Sequence, residues 1–231
     1  MSVSAQWPVW LLGTLSALLL LIMALCFGIY AWGARFVPDG IPASSYRAPD
    51  SIRDQYLAVE ADGAASMRKL NPVTFWIDFF MSRRQFPEPP PPEKILLHRA
   101  VRVAQFKHSR ARTQGDHHLA SIAFAIKISR QWTRDEAVNT ILAESGFRKD
   151  VIGIEASAQF YFGMPLADLR PQESLVLIAL LKGPSVFDPI CRRERFDQRY
   201  AQAAEKLRKT GPEWTAAAAL TRLRPIECSL R

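Results

Sequence analysis

A mainly α-helical protein is predicted by this sequence: one apolar helix of membrane length, then a helical domain. Three observations predict it. The chain opens with a long uncharged stretch, apolar residues afterwards recur at three-to-four spacing between helix start and stop signals, and no segment alternates polar and apolar residues long enough for a convincing strand. Of the 231 residues, setting aside an anchor at 1–35 leaves about 195, the size of one domain. The formal charge of +8 calls for an anionic partner, and nucleic acid, anionic lipid head groups and a pyrophosphate substrate all fit it.

The anchor comes first. From Ser2 to Ala34 there is no charged side chain, and residues 11–30 are almost wholly apolar. About 20 helical residues cover the ~30 Å hydrocarbon core of a bilayer. Trp7 and Trp10 precede the stretch and Tyr30 and Trp32 follow it, as interfacial aromatics do. A cleaved signal peptide fits less well, since no basic region precedes an apolar stretch that is itself long. Arg35, Arg47 and Arg53 follow the helix with nothing basic before it, so the positive-inside rule by itself places the following domain in the cytoplasm. Residues 36–50 are rich in Pro, Gly and Ser and read as a linker.

The domain runs over 51–210, with a tail at 211–231. From Ser51 the face of Ile52, Tyr56, Leu57 and Val59 predicts a helix, at whose end Glu60 is by itself a carboxylate of the usual solvated kind. Residues 70–86 hold Val73, Phe75, Trp76, Phe79 and Phe80, then Arg83 and Arg84. Two readings stand side by side: a core helix, or an amphipathic segment lying among lipid head groups. EPPPPE at 88–93 is stiff and extended. The next segment carries Arg99 and Arg102, and Lys107, Arg110 and Arg112 keep it cationic; a wet surface is its ordinary reading. Asp116, His117 and His118 invite a metal site, but adjacent histidines diverge on a helix and no second ligand cluster is present, so none is predicted.

Residues 153–189 are the most structured in pattern. Ile154, Ala158 and Tyr161 or Phe162 share a helix face, Gly163 can close that helix in the left-handed conformation, and Pro165 follows. Pro171, with Glu173 in the first turn, starts another helix. Residues 175–181 are apolar on every face and far too short to span a bilayer, which makes them a buried core helix ended by Lys182-Gly183-Pro184.

Three pieces of this region, GIEASAQFYFG, PQESLVLIALLKGPSVFDP and RRERFDQRYAQAAEKL, resemble in order and spacing the C-terminal part of the peptidoglycan glycosyltransferases, glycosyltransferase family 51. There the helices read roughly G-I/V-E-A-A-A-x-x-Y-F-G and L-x-x-A-E-A-A-L-L-A-G-L-x-x-A-P, followed by S-x-Y-D-P and an Arg-rich helix. SIRDQYLAVEADG looks like the first motif of the family, and that match makes Glu60 the general base. The motif's next residues, Asp, Phe and His, fall on Ala61, Ala64 and Met67. The second motif, G-G-S-T-I-T-Q-Q, has no counterpart in PPEKILLHRAVRVAQFK. In the third and fourth, the Arg-Lys pair falls on His117 and His118, the second glutamate on Ser121, and Y-L-N on Ile141, Leu142 and Ala143.

The resemblance implies a two-lobed, lysozyme-like helical domain outside the inner membrane of a bacterium, held by a single-pass anchor. It implies action on lipid II or a nascent glycan chain and contact with membrane lipid, leaves room for other cell-wall synthesis proteins as partners, and calls for no cofactor beyond, at most, a divalent cation. In that chemistry a base takes the proton of a sugar hydroxyl, which displaces undecaprenyl pyrophosphate with inversion. Glu60 is the catalytic candidate; Arg99, Arg102, Arg148 and Lys149 are candidates for the pyrophosphate, and Glu155 and Gln159 for substrate contact or for holding the lobe. If the domain is exported, Cys191 and Cys228 can pair, while Cys26 is a small apolar residue of the anchor. Two functions follow: an active or weakly active glycosyltransferase, or a non-catalytic relative that binds lipid-linked glycan or a cell-wall synthesis partner. Nucleic-acid binding has only net charge behind it and no recognition motif.

Overall fold

A computed structural model describes residues 7–84 and 89–228. The start of the proline run at Glu88, Gln85 and Phe86, and the side chains of Trp7, Arg83 and Arg84, lie outside what it describes. Helix makes up 64% of it, which settles the class as mainly α. The chain divides into two compact units, one formed by residues 1–41, 69–89 and 104–130, the other by 42–68, 90–103 and 131–231.

The first unit holds α1 (Trp7–Ala34), α3 (Pro72–Arg84) and most of α5 (Gln114–Gln131). Helix α1 is the one helix among the described residues long and apolar enough to cross a membrane by length and composition, and its leucines face outward along its length. Its end is docked. A Cβ on Gly33 would stand 2.2 Å from the Leu119 carbonyl oxygen of α5, so the two backbones touch where only glycine fits. The Phe36 carbonyl accepts from the Arg110 amide at 3.0 Å, the Pro38 carbonyl accepts from Lys127 Nζ at 2.9 Å, and Val37 and Ile41 are buried. Helix α3 starts on Asn71, whose Oδ1 accepts from the Val73 and Thr74 amides, and it packs against α1. Ile77, Phe80 and Met81 stay 55%, 61% and 48% exposed, so this segment is an apolar surface and not a core helix.

The second unit is built around α8 (Pro171–Leu180), which is buried from Glu173 to Leu180. It is packed by α2 (Asp50–Glu60), α7 (Ile154–Phe162), α9 (Arg193–Lys206) and α10 (Ala216–Ala219). Gly163 caps α7 in the left-handed conformation, as its position predicts. The exit of α8 differs from expectation: the helix stops at Leu180, and Gly183 sits in the turn beyond without a positive φ. Helix α6 (Arg134–Glu144) begins with a capping box between Thr133 and Glu136.

Two features were not legible. Residues 42–50, expected as linker, form a strap on α6, with the Ser44 amide on Thr140 Oγ1 at 2.9 Å and the Ala48 amide on Asn139 Oδ1 at 3.1 Å. An antiparallel ribbon joins β1 (Gly146–Arg148) to β2 (Val151–Ile152), and strands of three and two residues are too short for any alternation to show.

Candidate functional site

Helix α2 buries Ile52, Tyr56, Leu57 and Val59, and that same face carries Glu60, four residues beyond Tyr56, out of solvent. The expectation of a solvated helix-end carboxylate is therefore overturned: its side chain is 1% exposed. Two guanidinium groups compensate the charge. Arg99 of α4 (Pro92–His108) donates to Oε2, and Arg199 of α9, itself buried, donates to Oε1. Two turns along α9, Lys206 Nζ donates to the Val59 carbonyl at 3.0 Å and pairs with Asp62, neutralising the free C-terminal end of α2.

The surroundings are cationic and apolar together. Burial holds the Arg199 guanidinium below its ordinary value. Burial likewise pushes the Tyr56 hydroxyl up to about 12, against the opposing pull of nearby Arg99. His98 is held below the ordinary histidine value by burial and then by Arg102 and Arg99. Arg102 is exposed on the next turn of α4.

The other expected site residues sit apart from this cluster in the second unit. Arg148, in β1, bonds the buried Asp188 at 3.0 Å and lies over the Phe160 ring, so its guanidinium is engaged in structure. Lys149 is exposed in the turn of the ribbon. Glu155 accepts from Tyr46 Oη and from the Leu166 amide, both at 3.3 Å, and Gln159 contributes its backbone carbonyl to Arg224. Ser121 belongs to the first unit, where its hydroxyl lies 2.7 Å from Gln105 Oε1 and 3.0 Å from the His117 carbonyl. No group of three His, Cys, Asp or Glu side chains converges among the described residues, and Ser121 brings no carboxylate. Cys191 and Cys228 are joined by a disulfide, with Cα atoms 5.2 Å apart.

Arg199 escaped the sequence reading although a signal was present. Phe196, Arg199, Tyr200 and Ala203 stand at i, i+3, i+4 and i+7, so a charge occupies the apolar stripe of α9 and requires a buried partner.

Chemically, this cluster orders a carboxylate instead of presenting one. A general base must hold an oxygen within reach of a substrate hydroxyl. Both Glu60 oxygens are engaged, and protonating the one that Arg199 holds would strand a buried guanidinium, at a cost of about 3–5 kcal/mol.

Comparison with known proteins gives a likeness over part of the chain. The family described as Transglycosylase matches residues 100–208, which leaves Glu60 and Arg99 outside the match. Penicillin-binding protein 1A of Pseudomonas aeruginosa is 33% identical over 90 residues, covering 39% of this chain and 11% of that protein. Penicillin-binding protein 4 of Bacillus subtilis is 26% identical over 93 residues, 40% of this chain and 15% of the relative. The biosynthetic peptidoglycan transglycosylase of Rhodospirillum centenum is 31% identical over 70 residues, 30% of each chain. The chain thus spans between 11% and 30% of the length of these relatives.

Proposed function

We propose that this chain, which is similar to the Transglycosylase family over residues 100–208, binds lipid II or a nascent glycan chain at the membrane without polymerising it. The observation that carries this reading is the Glu60 carboxylate, clamped at both oxygens by Arg99 and Arg199. The missing second motif and the serine at position 121 point the same way, because the one replaces hydroxyls and amides with apolar and basic groups and the other stands where the family has a glutamate. Exposed basic residues, Arg102 and Lys149 foremost, remain available to an anionic pyrophosphate.

The proposed location is the outer face of a bacterial inner membrane, with α1 as the anchor. The membrane length of α1 supports anchoring, and the exposed apolar face of α3 beside it suits contact with lipid. The Cys191–Cys228 disulfide supports the extracytoplasmic side, since such bonds persist in oxidising compartments.

The test uses the full-length protein in detergent with lipid II, beside a Glu60→Gln variant. The expected result is retention of lipid II by the wild type and no glycan strands from either protein. Strands made by the wild type and lost in the variant would establish the enzyme instead. No retention of lipid II would overturn the binding reading and leave a protein partner as the ligand class to pursue.

A further inference from the structure

We propose that residues 220–228 form a redox-controlled latch, closed over α7 and α8 by the Cys191–Cys228 disulfide and opened by a dithiol reductant. This segment follows the transglycosylase match, which ends at residue 208. It runs without regular helix or strand, yet it is fastened at three places.

The first fastener is electrostatic. Glu173, in the first turn of α8, is completely buried; its carboxylate accepts from Arg222 Nε at 2.6 Å and also pairs with the Arg222 terminal nitrogen. Arg170 supplies the remaining contacts, its amide and its guanidinium each at 2.8 Å, and that guanidinium also reaches Thr221 Oγ1 at 3.0 Å. The second fastener is backbone: the Arg224 amide donates to the Tyr161 carbonyl at 2.8 Å, and its guanidinium reaches the Gln159 carbonyl at 3.3 Å. The amide closes an orphan carbonyl at the end of α7, and the guanidinium adds to a carbonyl that the Gly163 amide already holds. Gly163 makes room, since a Cβ there would stand 3.1 Å from Arg224 Cδ. The third fastener is the disulfide, the only covalent one, and it lies at the far end of the strap.

The two sulfurs sit in different settings. Cys228 is exposed, while Cys191 is half-buried with its sulfur 3.9 Å from Arg148 Nη2. A thiolate of the dithiol attacks the Cys228 sulfur, forms a mixed disulfide and expels Cys191 as a thiolate beside the Arg148 cation. Asp188 shares that cation and accepts the Cys191 amide at 2.8 Å, so the stabilisation is partial. The second thiolate of the reductant then closes on its own sulfur and releases Cys228. Two electrons pass, the reductant leaves as a disulfide, and its two protons end on the protein thiols. The arginines of the remaining fasteners, Arg222 and Arg224, are exposed to water, and Arg170 stays on the Glu173 carboxylate when Arg222 leaves it.

Hydrogen exchange on the full-length protein in detergent, with and without dithiothreitol, tests the latch. On reduction the Leu223 and Arg224 amides should exchange about tenfold faster or more, while amides within α8 keep their protection. Cys228→Ser without reductant should reproduce the effect, and dithiothreitol should add nothing to it. Unchanged strap amides after reduction would overturn the proposal. Loss of protection throughout α7 and α8 would overturn it as well, because the bond would then be a staple of the whole unit.

Discussion

Arg199 meets Glu60 across 139 residues of sequence, each side chain almost wholly removed from solvent. The pair ties the end of α2 to the middle of α9, and Arg99 brings α4 to the same carboxylate. A position whose motif context suggests a base is thereby occupied by a three-residue ion network. Networks of this type are sensitive to the loss of one partner and tolerant of the loss of all.

Arg199→Ala should lower stability by about 3–5 kcal/mol, because it leaves a buried carboxylate half-compensated. Glu60→Leu with Arg199→Met should lie closer to the wild type than either single change, since Arg99, 22% exposed, can turn to water. Denaturant unfolding in detergent measures both. A cost below about 1 kcal/mol for Arg199→Ala would show that the network contributes little.

Glu173 gives the molecule an acid limit. Burial would raise its carboxyl, but hydrogen bonds from Arg222 and Arg170 outweigh it and hold the group at about 2, against 4.5 when unfolded. The folded value is the lower one, so the stabilisation is complete above about pH 4.5 and is lost as pH falls toward 2. With allowance for the solvent around the two arginines, it amounts to about 1–2 kcal/mol. Unfolding curves between neutral pH and pH 2 should show the advantage of the wild type over Glu173→Gln shrinking across that interval.

Gly33→Ala should separate α1 from α5 and destabilise the first unit by about 1–3 kcal/mol, because its methyl group would overlap the Leu119 carbonyl. Gly13→Ala, on the same helix with nothing within 4 Å, is the control and should be neutral or slightly stabilising. Thermal melts in detergent distinguish the two.

Gly163→Ala should cost about 1–2 kcal/mol through its φ of 71°, and should loosen the strap through contact with Arg224. Arg224→Ala in addition removes the contact and leaves the backbone strain. Denaturant unfolding of the double variant should therefore recover only part of the loss.

Local rules made much of the fold readable. The uncharged opening, the apolar face at Ile52, Tyr56, Leu57 and Val59, the glycine stop at Gly163 and the all-round apolar run in α8 each follow from side-chain chemistry over a few residues. The ribbon at 146–152 was not readable because its strands are too short to show alternation, and the packed strap at 42–50 because hydrogen bonds to the distant Thr140 and Asn139 define it. At the candidate site, Glu60 was found from its motif, whereas its state depends on Arg99 and Arg199, which nothing near it in sequence announces.

By itself the sequence determined a membrane-length helix, a mainly helical domain and a likeness to the transglycosylases, because these rest on composition, periodicity and motifs that are local. Only the tertiary structure decided what the charges do. It buried Glu60 between two arginines, gave Glu173 its partner from the tail, and turned Arg148 toward Asp188. The reason is physical: the cost of burying a charge depends on which opposite charge arrives beside it, and folding chooses that partner from distant parts of the chain.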